Sequence, residues 1–210
     1  MTTQIKPKSH PGSMATVAVL PTARDKPNAY LDAAAALDLA ILGATACRMT
    51  PLARLIDTVW CLTGGGWRPP QDVVHDALRR ANAAGTVLAT ESWIRSIPFF
   101  YTLTPKGAKL FRTLMRRPLP SWDDPISRSA AAIKFGLLDV TEDTDLVAIA
   151  ADLKRFYIDS RHGLEARRET LAEDRVFLHT AVGERIAWAD QRIHALDDLI
   201  RARLHRPVIH

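Results

Sequence analysis

Cysteine is scarce in this chain. Only Cys47 and Cys61 occur among 210 residues, which excludes a disulfide scaffold and any zinc site built mainly from thiolates. The plain reading of the two is a pair of small buried side chains in a reduced cytoplasm. Long apolar runs are also missing. No segment approaches the roughly 20 uninterrupted apolar residues of a membrane helix, and the N-terminal stretch lacks the continuous apolar core of a secretory signal. No Gly-x-Ser-x-Gly, phosphate loop or dinucleotide fingerprint is present, and the glycines at 64–66 follow no strand. The seven histidines form no cluster with metal-ligand spacing. His194 and Asp198 share a helix face, where an exposed ion pair is the simpler reading. The expectation is a non-enzyme with no cofactor and no metal.

What is present reads as an ordinary folded protein, with 47% apolar and 24% charged residues. The net charge of +5 is unevenly spread. Residues 1–117 carry 15 basic and 7 acidic side chains, whereas 118–210 carry 13 and 16. A basic first half next to an acidic second half hints at a polyanion partner for the former.

Residues 1–28 hold four prolines and few large apolar side chains, and read as a flexible arm. Helix signals follow. An Ala- and Leu-rich stretch runs from Tyr30 to Ala46. A second helix opens at Thr50 as cap and Pro51 in the first turn, with Leu52, Leu55, Ile56 and Val59 at helical spacing. A third runs from Pro69–Pro70 to Gly85, burying Val74, Ala77, Leu78 and Ala81. The period then becomes extended. TVLAT (86–90) and FFYTLT (99–104) read as a β-hairpin around a polar turn. Thr104 caps and Pro105 opens another helix, which Pro118 and Pro120 stop. Three helices, a hairpin and a further helix describe a winged helix-turn-helix over 29–118.

Residues 119–210 read as all helical. Leu146, Ala150, Leu153, Tyr157, Ser160 and Leu164 step by fours and threes along a helix from about 145 to 173. Val182, Ile186, Ala189, Ile193, Leu196 and Ile200 do the same in the last helix. A helix of about 28 residues spans about 42 Å, too long for a small domain's core to cover, so a second subunit is the expected cover. The interface residues are then Leu153, Tyr157, Ile186, Ile193, Leu196 and Ile200. The expected fold class is mainly α with a small β-hairpin wing, a winged helix followed by a long-helix dimerisation domain.

Several segments resemble the PadR-type transcriptional regulators. VHDALRRANAAGTV (74–87) is similar to the family's recognition helix and its exit into the wing. Tyr101, Leu103, Thr104 and Gly107 reproduce its Tyr-x-Leu-Thr-x-x-Gly signature. SRSAAAIKFGLLDVTED (127–143) is similar to the start of the larger C-terminal dimerisation region of one branch, and AWADQRIHALDDLI (187–200), with Trp188, to its closing helix.

The resemblance implies a cytoplasmic, homodimeric repressor that reads a palindromic site in double-stranded DNA. Gln71, His75 and Arg79 on the third helix are the base-reading candidates, beside Asp72 and Asp76, which can pair with Arg79 or Arg80. Arg95, near Trp93 at the wing tip, is a backbone or minor-groove candidate, and Arg68 and Lys106 sit near helix N-termini that favour phosphate. A solvated helix face is the bland alternative for all of these. Trp188 and Phe177 are candidates for a small aromatic effector, since some family members bind such molecules at the dimer interface; plain packing is the competing reading. The competing class for the whole chain is a winged-helix protein-interaction module without specific DNA binding.

Overall fold

The computed structural model describes residues 30–46, 50–63, 65–90 and 100–204. The expected N-terminal arm, the wing tip with Trp93 and Arg95, and Cys47 lie outside the described residues.

Helix α1 (Ala33–Ala46) begins where Asp32 Oδ1 accepts a hydrogen bond from Ala35 N at 2.8 Å. It is apolar nearly all round, and such a helix must be enclosed on every side. Leu37, Leu39, Ala40, Ile41 and Leu42 are accordingly buried. Around it lie α2 (Leu52–Leu62), α3 (Gln71–Ala83), α4 (Pro105–Arg116) and α5 (Pro125–Gly136), the last capped by the Asp124 carboxylate.

The sheet has three antiparallel strands, not two. β1 (Thr50–Pro51), β2 (Val87–Thr90) and β3 (Phe100–Leu103) are arranged in the order β1-β3-β2. Thr50 pairs with Tyr101, and its hydroxyl donates to the Ala44 carbonyl. It therefore does not cap α2, where no side chain caps the first turn. A two-residue strand leaves no alternating pattern to read, so the sequence did not reveal it. Cys61 also departs from expectation. It is exposed on the outer side of α2, away from the buried stripe of Leu55 and Val59.

The second half is a helical hairpin. α6 (Asp143–Glu169) and α7 (Val176–Leu204) run antiparallel, as the cross-pairs Lys154–Asp197 and Arg161–Asp190 show. The expectation of a second subunit covering their seam is corrected here. Leu153, Tyr157, Ile193 and Leu196 are buried within one chain, Leu196 completely, and Ile186 and Ile200 are half-buried. The two helices cover each other, which the length argument had not allowed for. His194 likewise turns its ring Nδ1 to the Asp190 carbonyl at 2.8 Å, while Asp198 pairs with Arg201. One continuous core joins the helical hairpin to α1 and its neighbours.

The start of α4 is tied to the end of α3. Thr104 Oγ1 donates to the Gly85 carbonyl at 2.7 Å, with the Thr86 carbonyl also within reach at 3.1 Å, and accepts from Gly107 N, capping the helix. A Cβ at Gly107 would lie 2.0 Å from the Thr86 carbonyl oxygen, so only glycine permits this approach. Gly107→Ala should therefore lower the stability of the fold by about 1–3 kcal/mol, measured by urea unfolding. An unchanged midpoint would show that the α4 start can shift at no cost.

Candidate nucleic-acid interface

The helix–turn–helix is built around Thr63. Its hydroxyl lies within hydrogen-bond distance of the carbonyls of Val59, Trp60 and Trp67, and it accepts from Trp67 N. Trp60 Nε1 donates to the Gly65 carbonyl across the same turn. These contacts fix the direction in which the chain leaves α2 and begins α3. The inner side of α3, Val74, Ala77 and Leu78, is buried. Its outer side presents Gln71, Asp72, His75, Asp76 and Arg79 around one shallow recess. No side chain caps the first turn of α3, so its N–H groups face solvent with the positive end of the helix dipole.

Both arginines of this region, Arg79 and Arg68, have carboxylate partners. Arg79 Nη2 lies 2.6 Å from Asp76 Oδ1, the i,i+3 pairing anticipated from sequence. Both side chains are exposed, so the pair is weak and Arg79 can exchange Asp76 for a base edge or phosphate. Arg68 pairs with Asp57 at 3.2 Å, also exposed. Lys106 is engaged differently. Its ammonium donates to the Ala84 carbonyl at 2.7 Å, at the C-terminal end of α3. There a cation satisfies a free carbonyl and the helix dipole together, so the exposed Lys106 braces the C-terminal end of α3. Behind α3, Asn82 Oδ1 accepts from Ala89 N and joins the helix to β2. The structure thus brings Gln71, His75 and Arg79 onto one face, with Arg68 at the turn that leads into it.

The two residues singled out for an effector are not together. Phe177 is 91% exposed at the start of α7. Trp188 is eleven positions further along, about 16 Å at helical rise. The Trp188 ring meets Tyr157 edge-on, centroids 5.5 Å apart, and the Arg192 guanidinium lies 4.9 Å from its centre. Among the described residues no group of three or more His, Cys, Asp or Glu could hold a metal. No helix among them is long and apolar enough to cross a membrane.

A cavity of about 670 Å³ lies between the end of α4, the 117–122 connection, α5 and α6. Its wall includes Met115, Trp122, Leu153, Phe156 and one buried amine, Lys134, which donates to the Arg117 carbonyl. Burial lowers the Lys134 pKa to about 8, with Asp152 working against the shift. The residue was legible as a lone lysine in the apolar run AAAIKFGLL, yet its role was not read.

No protein-family model matches the chain, and no curated protein does. Solved structures do resemble it. Bacillus subtilis PadR in complex with operator DNA aligns at 15% identity over 80% of this chain and 98% of that one, TM-score 0.38. The same protein with p-coumaric acid aligns at 13% identity over 84% and 99%, TM-score 0.38. The Vibrio cholerae virulence activator AphA aligns at 15% over 79% and 96%, TM-score 0.34.

The Lys134 amine has a measurable consequence. Its pKa is about 8 when folded and that of an ordinary lysine, 10.5, when unfolded. Between these values the unfolded chain binds more protons, so this group makes stability rise with pH across that window. Lys134→Met should be more stable than wild type at pH 8, and the gap should narrow toward pH 10.5. Urea unfolding at both pH values checks this, and a gap independent of pH would place the amine in water.

Proposed function

We propose that this chain is a DNA-binding transcription regulator that works as a homodimer on a palindromic operator, as a repressor released by a small effector. The observation that supports this most is the α2–turn–α3 unit, whose reading helix is held from behind by Thr104, Lys106 and Asn82. Its free face carries Gln71, His75 and Arg79. Gln can contact adenine and Arg guanine in bidentate fashion, and affinity would come from phosphate neutralisation. The resemblance to PadR carried by Tyr101, Leu103, Thr104 and Gly107 points the same way.

Because Leu153, Tyr157, Ile193 and Leu196 are buried within one chain, the dimer contact is proposed on side chains that stay exposed. The large apolar side chains still exposed on the hairpin are Val176, Phe177 and Leu178 at its tip, with Trp188 and Leu204. Phe177 is therefore reassigned from the effector to the second subunit, and Trp188 remains the effector candidate. An effector releases DNA only if it binds the non-binding geometry more tightly, so its affinity must fall when operator is present.

Asp72 and Asp76 on the outer face of α3 favour the second reading, a protein-interaction module, because carboxylates repel phosphate. Duplex binding at two salt concentrations separates the two: a regulator loses affinity steeply as salt rises, and a protein-interaction module binds no duplex at either.

Arg79→Ala should weaken binding to a selected operator about tenfold or more while leaving random duplex nearly unaffected, since a helix-borne arginine reads bases. Equal loss on both duplexes would make it a backbone contact. Phe177→Glu should sediment as a monomer at micromolar concentration with unchanged helical content, and a persistent dimer would move the interface elsewhere.

A further inference from the structure

The rotational setting of α3 is fixed from both flanks. On one side Asn82 Oδ1 accepts from Ala89 N of β2. On the other, Arg80 lies beside the Asp38 carboxylate of α1, and the two share the wall of one small recess. The buried stripe is Val74, Ala77 and Leu78. At about 3.6 residues per turn, the side chains most directly opposite that stripe are Asp72, Asp76 and Arg79. All three are exposed. Gln71 and His75 stand nearer the flank of Asn82.

Two of the three answer each other. Arg79 Nη2 lies 2.6 Å from Asp76 Oδ1, so the Asp76 charge is offset on its own helix. Asp72 is different. Among the described residues no hydrogen bond or ion pair engages its carboxylate, and no side chain caps the turn in which it stands. An ionised carboxylate accepts and never donates. Whatever this face reads must therefore set a donor before Asp72.

In the major groove of a duplex that requirement is selective. Guanine shows only the acceptors N7 and O6, and thymine shows O4 and a methyl group, so neither can satisfy the carboxylate. Adenine and cytosine each carry an amine. The adenine amine stands between two acceptors, its own N7 and the O4 of the paired thymine. The cytosine amine has an acceptor on one side only, the O6 of its guanine. Cytosine is thus the base that leaves a carboxylate least opposed. We propose that Asp72 is a specificity-determining residue, accepting from a cytosine amine and excluding guanine and thymine from that position, beside the guanine read by Arg79. This rests on the DNA-binding reading of α3 and adds to it a half-site with one fixed guanine and one fixed cytosine. Specificity here comes from exclusion as much as from contact. It also gives a DNA-facing use to a carboxylate that phosphate alone would disfavour.

The test uses the full-length protein and selection from a pool of random duplexes, on wild type and on Asp72→Asn, whose amide donates as well as accepts. Wild type should fix a cytosine at one position, and the variant should admit guanine and thymine there while keeping the guanine that Arg79→Ala loses. Removing a negative charge strengthens binding to every duplex. The readout is therefore a ratio, affinity for the selected duplex over affinity for the same duplex with thymine at that position. This ratio should fall about tenfold in Asp72→Asn. A second probe changes the DNA instead. N4-methylcytosine keeps its base pair but replaces the groove-facing hydrogen of the amine with a methyl group. Wild type should lose about tenfold on it, and Asp72→Ala, with more space and no acceptor, should be indifferent. The same base preferences in wild type and Asp72→Asn, or no cost from N4-methylcytosine in wild type, overturn the proposal and leave the regulator reading standing. A wild-type protein that binds no duplex overturns both.

Discussion

Enclosure of α1 is the constraint on which the rest of the molecule depends. A helix with Leu37, Leu39, Ala40, Ile41 and Leu42 all buried has almost no face that water can accept. The surrounding elements are recruited to hide it: α2 and α3 of the helix–turn–helix, β3 of the sheet, α4, and α5 from the second half of the chain. Burying about 1.5–3 kcal/mol worth of each large apolar side chain makes any loss of one neighbour costly. The winged helix and the helical hairpin are therefore not beads on a string, and the core passes through both.

Polar contacts then set angles that apolar burial alone leaves loose. Thr104, Gly107 and Lys106 bind the start of α4 to the end of α3. At its other end α4 sends Arg112 to Glu142 and Arg116 to the buried Asp145, at the beginning of α6. A single helix thus touches both the end of α3 and the base of the hairpin. Through these contacts α4 links the end of α3 to the start of α6.

The connection between the halves is the most instrumented part of the chain. Trp122 is keyed against Gly163, stacked by Arg167 and followed by the Asp124 cap of α5. It borders the larger cavity on one side and a smaller one, lined by Arg128, Arg167 and Arg185, on the other. Lys134 anchors the end of α4 from within the larger cavity. Trp122 thus walls both cavities and is held by shape against Gly163 of α6.

Much of this was legible in the residues themselves. Composition, caps and helical periodicity located most of the described helices, because apolar spacing at 3.6 residues is a property of the chain. Thr104 as cap, the hairpin strands and the Asp76–Arg79 pair followed from local chemistry between near neighbours. What the tertiary structure decided involves groups far apart in sequence. The seam of α6 and α7 has the pattern of an interface whichever helix fills it, and only the folded chain shows that its own neighbour does so. Lys106 looks like any surface lysine until Ala84 is placed beside it. Arg128, Arg167 and Arg185 stand on three different helices, and no spacing announces that they line one cavity. Local propensity is written residue by residue, whereas charge and cavity belong to groups that only the packing of whole helices brings within reach.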